Sequence, residues 1–86
     1  MHVKSMQRLD DPARNGWRTL CRFALQLTPD CLLYDLKLKE APDGQLKLFT
    51  PTWGRNAPVA SMSPGLREKI IKIAREAYHD EFDRAA

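Results

Sequence analysis

The most constraining feature of this chain is a pair of alternating runs joined by turn chemistry: Leu32-Leu33-Tyr34-Asp35-Leu36-Lys37-Leu38, then Ala41-Pro42-Asp43-Gly44-Gln45, then Leu46-Lys47-Leu48-Phe49. Successive side chains of a strand point to opposite faces. Leu32, Tyr34, Leu36 and Leu38 therefore predict an apolar face, with Leu33, Asp35, Lys37 and Lys39 on the other. The Pro-Asp-Gly turn supplies a preset backbone angle and a residue free to take positive φ, so the two runs read as a hairpin.

A third run precedes them. Thr19, Cys21, Phe23, Leu25 and Leu27 alternate with Arg18, Arg22 and Gln26, blurred by Leu20 and Ala24, and Thr28-Pro29-Asp30 follows as a turn. Keeping the apolar faces together fixes the register, because a one-residue slip would turn every leucine to the wrong side. A four-residue loop at 28–31 sets Cys21 opposite Leu38, Phe23 opposite Leu36 and Leu25 opposite Tyr34. A five-residue loop at 41–45 sets Leu38 opposite Leu48.

Ser63 suits a helix N-cap and Pro64 a first helical position, and Leu66, Ile70, Ile73, Ala74 and Ala77 recur at helical spacing. Ile71, Tyr78 and Phe82 widen that stripe. Val3 to Leu9 reads as a further edge strand, followed by a polar loop over residues 10–16. The expected fold is α+β: a small antiparallel sheet of three to five strands in a meander, with one C-terminal helix packed on one face. Its strands fall near 2–9, 18–27, 32–39 and 46–50, its loop at 51–62 and its helix at 64–82.

At 86 residues the chain is one small domain, close to the size at which a single core only just offsets the entropy of ordering it. A hydrophobic fraction of 43% and a charged fraction of 29% are those of an ordinary globular protein. No apolar run approaches a membrane span. Met1 to Met6 lacks the layout of a secretory signal, so a cytoplasmic location is expected, with Cys21 and Cys31 as free thiols.

Catalytic and metal chemistry find little to work with. His2 and His79 have no cysteine or carboxylate at ligand spacing, and there is no phosphate-cradling glycine loop and no nucleophile elbow. The chain is expected to be neither an enzyme nor a holder of a metal or cofactor. On the helix, Lys69, Lys72 and Arg75 form a basic ridge, yet Glu68 and Glu76 stand four residues either side of Lys72, which favours a solvated face with intrahelical ion pairs.

The other sheet face carries the stronger signal. The register sets Arg22 opposite Lys37 and Lys39 opposite Lys47, places Arg18 near the same edge, and leaves Asp35 as the central acid. Like charges directly opposite each other are destabilising, so the stripe invites an anionic partner; long basic side chains splaying into water are the plainer alternative. Trp53 and Arg55, in a loop stiffened by Pro51 and Pro58, either stack on a base and reach a phosphate or fold back as a lid over Phe49.

The order of these elements resembles the stage V sporulation protein G (SpoVG) family of bacterial septation regulators. The likeness rests on Leu32 to Leu38, the Gly44 turn, Leu48-Phe49 with a proline soon after, and Arg67-Glu68-Lys69-Ile70 leading to Tyr78. It implies a small cytoplasmic protein with an antiparallel sheet and C-terminal helix, a homodimer joined through its sheets, and nucleic-acid binding in regulating gene expression without catalysis. In that family a basic stretch after the Leu-Phe pair and residues of the helix are associated with nucleic acid, positions held here by Arg55 and by Arg67 and Lys69.

Two functions are thus expected as alternatives. One is a homodimeric regulator binding DNA or RNA through Arg22, Lys37, Lys39 and Lys47, aided by Trp53 and Arg55. The other is a protein-interaction module using surplus apolar helix surface at Ile71, Tyr78 and Phe82.

Overall fold

The computed structural model describes residues 1–9, 15–53, 57–58 and 61–83, with the side chains of residues 53, 57, 58 and 83 excepted. Strands β1 (His2–Arg8), β2 (Arg18–Thr28), β3 (Cys31–Glu40) and β4 (Leu46–Phe49) form an antiparallel sheet in the order β1-β2-β3-β4. Two short strands, β5 (Thr52–Trp53) and β6 (Ala57–Pro58), pair separately, and helix α1 (Pro64–Tyr78) runs into a π-helical turn at His79–Asp83. The fold is α+β with a C-terminal helix.

The Pro-Asp-Gly hairpin forms as its chemistry dictates. The Gly44 N–H donates to the Ala41 carbonyl at 2.9 Å, the Ala41 N–H to the Gln45 carbonyl at 2.8 Å, and the Gln45 N–H to Asp43 Oδ1 at 3.0 Å. Gly44 sits at φ +87°, where a side chain would be strained. Glu40 and Leu46 are the first strand pair beyond the loop, as the five-residue spacing requires.

At the centre of the sheet the register is the one apolar matching demands: Cys21 faces Leu38, Phe23 faces Leu36, and Leu38 faces Leu48. Toward the ends of β2 and β3, bulges shift it. Between the Phe23–Leu36 and Leu25–Leu33 pairs β3 carries one extra residue, and Asp35 adopts φ +58°, a region that a short polar side chain tolerates. Leu25 therefore faces Leu33 instead of Tyr34. Leu33 packs against the core, and Tyr34 swings out to 68% exposure.

A second bulge, at Leu20, lies between the Thr19–Lys39 and Cys21–Leu38 pairs. It allows consecutive residues Leu20 and Cys21 both to be buried, and it reverses the phase of what precedes them. Thr19 turns to the open face, while Arg18, opposite Glu40, lines the helix side with Leu38 and Tyr78. Arg18 thus lies away from the open-face stripe. At the far end Thr28 pairs with Cys31, so the turn is the two residues Pro29 and Asp30, where a four-residue loop is expected.

Helix α1 begins where its cap chemistry sits: Ser63 Oγ accepts from the Leu66 N–H at 3.2 Å and Pro64 occupies the first turn. Its buried line is Ile70, Ala74 and Tyr78, closing over Cys21, Phe23, Leu25, Leu36, Leu38 and Leu48. Phe82 lies edge-on to Tyr78 at 5.2 Å with the Arg8 guanidinium over its ring, and Ile71 packs against the core from one side. Tyr78 and much of Phe82 are thereby used inside the domain, while part of Ile71 stays open beside β4. Exposed Glu68, Lys72 and Glu76 make no ion pair among the described residues, because exposed partners gain too little to fix two long side chains.

Candidate nucleic-acid interface

Each strand that sends a leucine into the core sends its neighbour to the opposite face. Two transverse rows result. Gln7, Arg22, Lys37 and Phe49 run across all four strands, and Thr19, Lys39 and Lys47 run beside them. The pairs Arg22–Lys37 and Lys39–Lys47 stand directly opposite each other, as expected from the central register.

The members differ in what occupies them. Arg22 donates from Nη2 to Gln7 Oε1 at 2.7 Å and approaches Asp35 Oδ1 at 3.6 Å. The β3 bulge that exposes Tyr34 also brings Asp35 to this arginine, so Arg22 is partly neutralised. Lys37 and Lys47 extend into solvent. Lys39 leans over Phe49, its Nζ 4.5 Å from the ring centroid, which is cation–π geometry.

Phe49 is 39% exposed, and Trp17 meets it edge-to-face at a centroid separation of 5.7 Å. Gly16, at φ +84°, lies so close to the hairpin that a Cβ there would come within 2.7 Å of Pro42 Cγ; glycine lets the approach to Trp17 pass tight against the turn. The face therefore combines two aromatic rings with three lysines around them. Sequence reasoning passed over Trp17. Its place depends on the Leu20 bulge, whereas Phe49 on this face was readable from its register position opposite Lys37.

The two helical residues stand apart. Arg67 is half-buried beside the β4 edge and donates from Nη1 to the Leu48 carbonyl at 2.9 Å, while Lys69 is exposed on the helix. Because α1 packs on the covered face, neither joins the lysine rows. Trp53 takes its place in β5 opposite Ala57; its side chain, and Arg55 altogether, lie outside the described residues.

No known family, curated protein or solved structure matches this chain.

Cys21 is buried and faces Leu38; Cys31 lies at the β2–β3 turn, and both thiols are free. Burial pushes the Cys21 thiol up to about 11, partly offset by a backbone hydrogen bond at Leu38. No group of three His, Cys, Asp or Glu side chains able to hold a metal occurs among the described residues. No helix among them is long and apolar enough to cross a membrane.

Proposed function

We propose that this chain is a non-catalytic regulator that binds nucleic acid across the open sheet face, working in the cytoplasm as a homodimer. The observation that carries the reading is the lysine–aromatic cluster: Lys37, Lys39 and Lys47 around Phe49 and Trp17. Like-charged residues held opposite one another destabilise the free sheet and are relieved by a polyanion. The partly exposed Phe49 ring beside them, backed by Trp17, offers unpaired bases a stacking partner. The resemblance to the SpoVG family supports the same class of partner and the homodimer.

The geometry favours single strands over duplex, because a stacking surface rewards bases that are already unpaired. Lys37, Lys39 and Lys47 are the phosphate contacts, Arg22 a weaker one because Asp35 and Gln7 hold it. Trp53 and Arg55 are the further contacts of this proposal, one stacking on a base and the other reaching a phosphate. Titrating labelled single-stranded DNA, duplex DNA and RNA at several salt concentrations, with anisotropy and tryptophan emission read together, tests this. Three contacts on a single strand predict a log–log salt slope of about −2 per protomer. Salt-independent binding, or none at low salt, rejects the proposal.

A further inference from the structure

We propose a second binding site, on the outer edge of β4, for an extended acidic peptide segment of another protein that adds to the sheet as a fifth strand. It does not rest on the nucleic-acid reading, and apart from Lys47 at its rim it lies on the helix side of the β3–β4 hairpin, away from the lysine rows.

Among the described residues β4 ends the sheet, with no strand paired on its outer side. Which groups face out follows from the hairpin. The Ala41 N–H donates to the Gln45 carbonyl, making Ala41 and Gln45 a hydrogen-bonded pair. Antiparallel pairs alternate, so Lys39–Lys47 and Lys37–Phe49 exchange bonds with β3, whereas Leu46 and Leu48 turn their N–H and C=O groups outward. The bond from Arg67 to the Leu48 carbonyl agrees, since only an outward carbonyl is within its reach.

Those outward groups border a groove of about 620 Å³ between β4 and α1. Leu46, Leu48 and Ile71 give it an apolar floor. Lys47, Arg67, Lys72 and Arg75 stand around it against a single acid, Glu68, a balance of four cations to one anion. An antiparallel strand rises about 3.4 Å per residue, so the four residues of β4 present about 14 Å of edge, enough for a segment of four or five residues. Alternation along that segment sends every second side chain toward α1, where acidic groups reach Lys72 and Arg75 above the floor of Leu46 and Ile71, and the others to the open face. Edge-strand addition of this kind draws affinity from main-chain bonds and specificity from alternate side chains.

The same charges disfavour a second copy. A two-fold β4–β4 junction would set each cation-rich edge against its own image, because an isologous interface presents one patch to itself. A partner of opposite charge meets no such penalty.

A fluorescein-labelled peptide of alternating Glu and Val tests the site at low salt, beside the Lys–Val equivalent and a version N-methylated at alternate amides. The expected result is binding of the Glu–Val peptide alone, slowed amide exchange at Leu46, and a loss of at least about tenfold on N-methylation or in Lys72→Glu/Arg75→Glu. Lys37→Glu/Lys39→Glu should leave this binding unchanged. Failure of the Glu–Val peptide to bind, or equal binding after N-methylation, would overturn strand addition. Loss of oligonucleotide affinity in Lys72→Glu/Arg75→Glu as large as in Lys37→Glu/Lys39→Glu would assign the groove to nucleic acid and overturn the peptide as occupant.

Discussion

Cys21, Leu38 and Leu48 stand side by side on the helix-covered face of the sheet, while Lys37, Lys39 and Lys47, each one residue along, stand on the other. The first set is buried beneath Ile70 and Ala74 and stabilises the fold by removing apolar area from water. The second set repels itself, cushioned by one cation–π contact and by Asp35 at Arg22. Substitutions on the covered face should therefore change stability. Those on the open face should change binding and leave the fold intact or firmer.

The largest expected effect is at the centre of the covered face. Leu38 is fully buried, and Leu38→Ala should cost about 2–5 kcal/mol of unfolding free energy by urea titration, with binding lost only through unfolding. An equal loss from Lys37→Ala would break the contrast between the faces.

Cys21 gives the covered face a pH signature. Its folded thiol titrates at about 11 against an ordinary 9.0, so the folded state holds the proton more tightly than the unfolded chain. Its contribution is intact below pH 9 and is lost as pH rises from there through about 11, on the order of 2–3 kcal/mol in all. Urea midpoints across that range should fall in the native protein and fall less in Cys21→Ala. At neutral pH a thiol reagent should modify half-exposed Cys31 well before Cys21.

On the open face, Phe49→Ala should weaken single-strand binding by about 1–3 kcal/mol if bases stack there, with duplex binding less affected. Anisotropy with matched oligonucleotides reads this directly. Between the faces lies the helix cap: Ser63→Ala removes the acceptor for the Leu66 N–H and should cost about 1 kcal/mol without altering oligonucleotide affinity.

The legible part of the fold was the part governed by period and turn chemistry. The hairpin at 41–45, the central register and the Ser63-Pro64 helix start each follow from a few residues whose local preferences agree. The bulges were illegible. Leu20 and Ala24 showed as irregularities in the alternation, but which strand takes the extra residue depends on how both strands twist over the helix. From that one uncertainty came the outward Tyr34, the Asp35–Arg22 contact, the inward Arg18 and the place of Trp17. The lysine rows were legible because they lie in the unbulged centre. The Arg67 bond to the Leu48 carbonyl was illegible too, because it joins elements that only tertiary packing brings together.

The most direct measurement puts both faces to the test in one protein. Lys37→Glu sets an acid opposite Arg22, an unlike cross-strand pair worth about 0.2–1 kcal/mol. Its urea midpoint and its affinity for a single-stranded oligonucleotide should be measured in one buffer at low salt. The expected result is a midpoint equal to or above the native value together with a clear loss of affinity. Undiminished affinity in a fully folded Lys37→Glu protein would contradict it.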